Sequence, residues 1–331
     1  LANALSLAGG TLKDAATNTA TITTSAIAAA ANTVAVDAVV PTVSSVVISG
    51  VDSANAAKTG TLVAGDKINV LVTMSEATTV TGTPTYTVDV GGVSKTASYV
   101  SGSGTTSLVF RYTIATGDTD TAGGVTALAN ALSLAGGTLK DAATNTATIT
   151  TAAIAAAANT VAVDAVVPTV SSVAITSATG AQNNTLNVGD VVTVTVTMSE
   201  VTMVTGTPQL ALDIGGTTKQ ATYSSGSGST TLQFTYTIAA GDTDTNGIRM
   251  VANALALNGG TLKDAAGNAA TITHAAVTDN ASYLVDTTAP VAPTFALTTD
   301  AGSSNTDGIT NNGSITVTGV EAGGTWKYST D

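Results

Sequence analysis

The chain has 331 residues, of which only 10% are charged and 3% are aromatic, and its formal net charge is -12. Such an acidic balance argues against nucleic acid or an anionic membrane surface as a partner, because both are themselves negatively charged. The chain contains no cysteine, which excludes disulfides and thiolate metal sites. In an extracellular protein another device must then stiffen the chain, and bound metal ions are the obvious one.

The composition favours strands and turns, because Thr, Val, Ile and Gly are frequent throughout the sequence. No stretch approaches the roughly 20 consecutive apolar residues of a membrane-spanning helix. No signal peptide is visible, but the sequence opens in the middle of a repeated pattern, so this says nothing about secretion. We therefore predict an all-β chain without membrane insertion.

Internal repetition organises the sequence. Residues 1–40 recur at 128–167 with a single substitution, and a diverged third copy runs from Val251 to Ala289. Each copy is followed by a proline, at positions 41, 168 and 290. The sequence thus predicts four segments, namely the C-terminal part of a truncated repeat (1–40), a first repeat (41–167), a second repeat (168–289) and the N-terminal part of a further module (290–331).

Each repeat shows the pattern of short strands. In the first repeat Ile68, Val70, Val72 and Met74 alternate with other residues, and the second repeat has Val192, Val194, Val196 and Met198 at the same places. A period of two predicts a strand with one buried face. Such strands separated by Gly-Gly and Ser-Gly-Ser-Gly turns are typical of antiparallel β-sandwiches, so we predict tandem immunoglobulin-like sandwiches in an elongated array.

Three details of these strands carry further expectations. The words Met-Ser-Glu at 74–76 and 198–200 are expected to end a strand, and the strand through Leu108 and Ile114 is expected to be the longest. The alanine-rich stretch 152–158 is too short to hold a helix alone. We predict a loop there, with at most one helical turn, before a last strand at 159–164.

An acidic loop follows the longest predicted strand in both repeats, and we name it the acidic corner. It reads Gly-Asp-Thr-Asp-Thr, with Asp118 and Asp120 in the first repeat. In the second repeat its oxygen-bearing residues are Asp242, Asp244 and Asn246, whereas the first repeat has Ala122 in place of the asparagine. Alternating oxygens on a tight loop suit Ca²⁺, which takes six to eight oxygen ligands. The alternative is a plain turn held by side-chain hydrogen bonds.

A second candidate is the recurring word Leu-Lys-Asp-Ala-Ala-x-Asn. It supplies an Asp and an Asn four residues apart, and either both oxygens face one ion or the word is a plain hairpin turn. The three pairs are Asp14 with Asn18, Asp141 with Asn145, and Asp264 with Asn268.

Further acids recur in register. Glu76 and Glu200 are expected at the same end of the sandwich as the acidic corner. An Asp also lies four residues before each repeat's opening proline, at 37, 164 and 286, where a shared ion would link one repeat to the next. Asp164 and Asp286 are therefore candidate junction ligands.

Enzymatic functions find little support in the sequence. The single histidine, His274, takes the place of Thr24 and Thr151 in the other copies, whereas a Ser/His/Asp set would need a histidine in every active repeat. No phosphate-binding loop, zinc motif or aromatic-basic patch occurs. We expect a chain that is not an enzyme.

Taken together, the words Gly-Asp, Met-Ser-Glu, Val-Thr-Gly-Thr-Pro, Tyr-x-Ser-Gly-Ser-Gly and Gly-Gly-Thr-Leu-Lys-Asp-Ala-Ala-x-Asn resemble a known family over residues 1–289. It is the bacterial immunoglobulin-like repeats of giant secreted adhesins and other large cell-surface proteins. The tail, with Thr325-Trp326-Lys327, resembles the opening of a related module of biofilm-associated surface proteins. The resemblance implies an extracellular spacer, often stiffened by calcium.

Two structural functions follow as hypotheses. The first is the stalk of an extracellular bacterial adhesin, in which Ca²⁺ at loops and junctions limits bending and the partners are neighbouring repeats of the same chain. The second is a subunit of a surface filament, sheath or layer, held by strand addition between identical chains. A third, carbohydrate-binding function is disfavoured by the scarcity of aromatic residues.

Overall fold

The structure is a computed structural model that describes residues 3–28, 34–320 and 327. Parts of the predicted first and last segments lie outside these described residues, among them Trp326. The boundaries at 41, 168 and 290 stay predictions.

The two repeats have the same strands in the same order, as their shared alternating patterns require. Those of the first repeat are β1 (Val43–Val51), β2 (Thr61–Leu62), β3 (Lys67–Thr81), β4 (Thr85–Val90), β5 (Val93–Ser101), β6 (Thr105–Thr113), β7 (Thr119–Asp120), β8 (Leu132–Ser133), β9 (Thr138–Lys140) and β10 (Ala162–Asp164). Those of the second repeat are β11 (Val170–Thr179), β12 (Thr185–Leu186), β13 (Val191–Thr205), β14 (Gln209–Ile214), β15 (Thr217–Ser225), β16 (Ser229–Thr237), β17 (Thr243–Asp244), β18 (Leu255–Ala256), β19 (Thr261–Lys263) and β20 (Leu284–Asp286).

Each repeat has one large and one small sheet. In the second repeat the large sheet has the order β11-β13-β16-β15-β14-β18, with β19 paired to the far half of β13, and the small sheet has the order β12-β20-β17. The pairs of the large sheet are antiparallel, whereas β12 runs parallel to β20. The first repeat repeats both orders, and the fold class is therefore all-β, as predicted.

The core of the second repeat lies between its two sheets. Val194 on β13 and Phe234 on β16 are fully buried and come from the large sheet. Leu186 on β12 and Val285 on β20 belong to the same cluster and come from the small sheet. The second repeat is thus a β-sandwich, in which the alternating positions seen in the sequence face inward.

The structure corrects two of the strand expectations. Strand β3 does not end at Glu76 but continues to Thr81, so that β3 and β13, with 15 residues each, are the longest strands. Strand β3 passes through a register shift against β6 and then pairs with β9 from Thr79 onward, a change that periodicity alone does not reveal. The alanine-rich stretch holds one 3-10 turn at Ala156–Ala158, and β10 follows, as predicted.

The chain divides into two compact units. One comprises Leu1–Gly60, Asp66–Thr113 and Ala122–Ala162, and the other comprises Thr61–Gly65, Ile114–Thr121 and Val163–Asp331. The second repeat lies wholly in the latter unit. In the tail the described residues form one hairpin, β21 (Thr294–Leu297) with β22 (Ile315–Thr318). No helix among the described residues is long and apolar enough to cross a membrane.

Near-identical sequences take different environments in residues 1–40 and 128–167. Leu12 is 53% exposed, whereas its counterpart Leu139 on β9 is fully buried. Val36 is 88% exposed, and its counterpart Val163 on β10 is fully buried. Local sequence therefore does not determine burial here.

This contrast predicts that the same leucine-to-alanine substitution changes the free energy of unfolding much more in one copy than in the other. Leu139→Ala should lower the free energy of unfolding by about 2–5 kcal/mol, because it removes a buried side chain. Leu12→Ala should change it by less than about 0.5 kcal/mol, because the side chain faces solvent. Urea unfolding followed by circular dichroism measures both, and equal losses would contradict the assigned burial.

Candidate metal centre

Strand β13 places Glu200 where the strand changes partner. Residues Val191 to Thr197, and again Thr202, pair with β16, whereas Met203 to Thr205 pair with β19. Glu200 lies in the irregular stretch between these ladders, and its backbone carbonyl accepts a hydrogen bond from the Thr202 hydroxyl at 3.0 Å. The shift thus removes Glu200 from the regular alternation. Glu76 occupies the same place in β3, with Thr78 as the donor.

A tight loop directly after β19 positions Asp264. The backbone N–H groups of Gly267 and Asn268 donate to Asp264 Oδ1 at 2.7 and 2.8 Å. The Asn268 side-chain amide donates to Asp264 Oδ2 at 2.7 Å. The same loop holds Asp141 through Asn145. The alternative of a hairpin turn held by side-chain hydrogen bonds therefore describes the local geometry of this loop. Asp141 and Asp264 are both buried, each with 6% exposure.

The chain before Pro168 brings Asp164 to the other two acids. Thr271 donates its backbone N–H to the Pro168 carbonyl at 2.8 Å, which holds the start of the second repeat beside the residues after Asn268. The Asn268 amide also donates to the backbone carbonyl of Asp164 at 2.8 Å. One asparagine side chain thus fixes Asp264 and Asp164 together. Asn145 makes the corresponding contact with the Asp37 carbonyl at 3.2 Å.

Two groups of three carboxylates result. The first cluster is Asp37, Glu76 and Asp141; the second cluster is Asp164, Glu200 and Asp264. In each cluster the three residues offer carboxylate oxygens that all lie within 4.8 Å of one another. Each cluster lies within one of the two compact units.

In each cluster the glutamate is the residue whose pKa is raised by its surroundings. The Oε1 atoms of Glu76 and Glu200 are buried and have no hydrogen-bond partner among the described residues. Burial raises the pKa of Glu200 above its ordinary value, and the charges of Asp264 and Asp164 raise it further. Burial, Asp37 and Asp141 raise the pKa of Glu76 in the same way. Three acids are thus held closer together than their ionised forms favour.

The chemistry of the clusters suits a hard cation. Two oxygens bound to one Ca²⁺ at about 2.3–2.6 Å lie at most about 5 Å apart, which matches the spacing found here. The ligand atoms are all oxygens, and the chain has no thiolate to favour a softer metal. The carboxylates would hold the ion, and backbone carbonyls and water would complete its shell.

Asp14 and Asp286, the remaining members of these two recurring sets, are not part of a three-acid group among the described residues. Asn18 donates to Asp14 through its backbone and its side chain, at 2.8 and 2.9 Å, so the loop itself is the same. Asp286, at the end of β20, accepts the Thr288 backbone N–H at 2.9 Å. A recurring sequence motif therefore identifies the loop and the aspartate before the proline. It does not show that three acids come together there.

In the acidic corner of the second repeat, Asp242 has a cation and a hydroxyl as partners within the fold. Asp242 is 3% exposed; Lys219 lies 2.7 Å from its Oδ1, and the Tyr236 hydroxyl donates to its Oδ2 at 2.7 Å. Burial alone would raise the pKa of Asp242, but Lys219, the Ala239 N–H and Tyr236 outweigh it and lower that pKa. Burial, with the contact to Asp242, raises the pKa of Tyr236 to about 12. Asp242 is thus already neutralised by a cation.

The other corner residues are likewise engaged in the turn. Asp244 accepts the backbone N–H groups of Gly215, Asn246 and Gly247 at 2.8–3.1 Å. Gly215 is required there, since its φ is +57° and a Cβ would lie 2.0 Å from the Thr243 carbonyl oxygen. Asn246 itself is exposed.

In the first repeat Asp118 accepts the Ala115 N–H at 2.9 Å, and Asp120 pairs with Val163 on β10. None of the corner residues joins a three-acid group in the described part of the chain.

Two signals in the sequence bear on this arrangement. Lys95 and Lys219 occupy equivalent positions in the two repeats, and Lys219 is the cation that pairs with Asp242 in the acidic corner. The sequence pattern places Glu76 and Glu200 at the corner's end, but the structure groups them with the junction acid and the Leu-Lys-Asp loop. Both glutamates lie within a register shift, between Thr73 and Thr78 in β3 and between Thr197 and Thr202 in β13.

Comparisons with known proteins add no family assignment. No protein-family model matches the chain, and no curated protein matches it.

The ion pair at the corner predicts the effect of removing its cation. Lys219→Met should destabilise the second repeat by about 1–3 kcal/mol, because it leaves a buried carboxylate unpaired. We place the loss below that of a fully buried pair, since Lys219 is 28% exposed. Thermal unfolding measures it, with the exposed Lys13→Met as the control. If both variants melt alike, the corner does not depend on its ion pair.

Proposed function

We propose that this chain is a structural extender region of a large extracellular bacterial surface protein, stiffened by Ca²⁺ at the two clusters. The ligands in the first cluster are Asp37, Glu76 and Asp141. Those in the second cluster are Asp164, Glu200 and Asp264. The extracellular setting and the stalk role are supported by the resemblance of the sequence words to adhesin repeats.

The observation that carries this proposal is the recurrence of one three-carboxylate geometry in both repeats. Each cluster takes one acid from the stretch before the repeat's opening proline, one from the long strand and one from the loop after β9 or β19. An ion held by all three would fix the short segment between Asp164 and Pro168. Fixing such a segment lowers its conformational entropy, and that is the stiffening a stalk needs.

Charge also favours a bound cation. Three ionised carboxylates bring a charge of about -3, which one Ca²⁺ reduces to about -1. The buried Oε1 of Glu76 and of Glu200 would gain the partner that it lacks. Neutralisation would let the glutamates ionise, since a nearby positive charge lowers the pKa of a carboxyl group.

Calcium titration tests the proposal directly. Isothermal calorimetry on the metal-free chain should find two sites, one for each cluster. Ca²⁺ at a hundred times its dissociation constant should stabilise the fold around each site by about 2.7 kcal/mol. Glu76→Gln and Glu200→Gln should each abolish one site, because they keep the shape of the side chain and remove its charge.

Asp14→Asn is the matched control, because Asp14 lies in the same loop without two further acids beside it among the described residues. It should leave both sites intact. Unchanged melting with Ca²⁺ and with chelator would refute the metal role. Reversible assembly into filaments, with no dependence on Ca²⁺, would favour the alternative of a self-assembling surface protein.

The raised pKa values of the glutamates predict a dependence on pH. Without Ca²⁺ the folded state binds protons at Glu76 and Glu200 more tightly than the unfolded state, whose value is near 4.5. The contribution of these groups to stability should therefore fall as pH rises from 4.5 toward 7. Melting temperatures of the metal-free chain should show this decline relative to the Glu76→Gln, Glu200→Gln double variant. Parallel profiles would contradict it.

A further inference from the structure

The two repeats share a carboxylate at the end of the fourth strand, but only one of them supplies a cation for it. In the second repeat Asp213 on β14 exchanges backbone hydrogen bonds with Arg249, at 2.8 and 3.2 Å. In the first repeat Asp89 on β4 exchanges the same bonds with Thr126, at 2.7 and 3.1 Å. The backbones match, whereas the side chains opposite the aspartates differ.

The side-chain contacts show which oxygen is free. In both repeats Oδ1 accepts a turn glycine's N–H at 2.8 Å, from Gly92 to Asp89 and from Gly216 to Asp213. In the second repeat Arg249 occupies Oδ2 of Asp213, through Nε at 2.8 Å and Nη2 at 2.6 Å. That contact raises the pKa of Arg249. No described residue donates to Oδ2 of Asp89, so this oxygen is available to a ligand.

An open cavity of about 380 Å³ lies beside Asp89. Its walls include Leu128, Ser94 and Asn130, and Leu128 is 81% exposed. Thr126 also lines the cavity, at the position from which Arg249 reaches Asp213 in the second repeat. The site therefore combines an oriented carboxylate, hydroxyl and amide groups, and an apolar surface that suits an aliphatic stem.

We propose that the first repeat binds the guanidinium group of an arginine side chain presented by a partner polypeptide, with Asp89 as its counter-ion. Arg249 shows how a guanidinium sits on this carboxylate within the same fold. A guanidinium suits the site better than an ammonium, because its planar fork brings two nitrogens to one carboxylate oxygen, as Nε and Nη2 of Arg249 do at Oδ2 of Asp213. The net charge of -12 would attract a basic partner.

Nuclear magnetic resonance titration of the full chain with N-acetyl-arginine amide tests this proposal. The amide signals of Asp89, Gly92 and Thr126 should shift and saturate, with a dissociation constant on the order of 10 mM for a half-exposed ion pair. The uncharged citrulline analogue should cause no saturable shift. Asp89→Asn should abolish the shifts, and so should Thr126→Arg, which copies the second repeat.

Arg249→Thr is the positive control, because it opens the corresponding site at Asp213. This variant should gain a second set of saturable shifts there. If it binds the probe while Asp89 in the unaltered chain does not, or if neither site binds, the proposal is wrong. Binding of the bare guanidinium ion as tightly as the arginine probe would overturn the assignment to a side chain, since Leu128 would then contribute nothing.

Discussion

Each of the two clusters holds three carboxylates close together, although ionised carboxylates repel one another. Their oxygens lie within 4.8 Å of one another in two separate places. Burial raises the pKa of Glu76 and of Glu200, and the like charges of the neighbouring aspartates raise it further. A fold that builds the same unfavourable group twice needs something to offset it, and a divalent cation does so with the available oxygens.

The supporting contacts are arranged to hold the acids in place without neutralising them. Asn268 donates to Asp264 Oδ2 and to the Asp164 carbonyl, so one amide sets the geometry of two acids. Glu200 lies within the register shift of β13, and its carboxylate is grouped with those of the two aspartates. The acidic corner is the opposite case, because Lys219 and Tyr236 satisfy Asp242 within the fold. Asp242 is thus paired with a cation within the fold, whereas Oε1 of Glu76 and of Glu200 has no hydrogen-bond partner among the described residues.

Much of the fold was predictable from the sequence, because period two and glycine turns report local geometry. The alternating faces of β3 and β13 and the 3-10 turn before β10 were predicted correctly. The grouping of the acids was predicted only in part, since it depends on contacts between distant residues. Asn268 and Asp164 lie 104 residues apart, and no local pattern shows that they touch. Leu12 and Leu139 make the same point, because near-identical surroundings in sequence leave one exposed and the other buried.

Anomalous X-ray scattering from crystals grown with Ca²⁺ would locate an ion bound at either cluster. We predict one peak in each cluster, within about 2.3–2.6 Å of carboxylate oxygens of Glu76 in one and of Glu200 in the other. The absence of peaks at both clusters would contradict the account. Peaks beside Asp242 and Asp244 instead would contradict it as well, because those carboxylates already have partners within the fold.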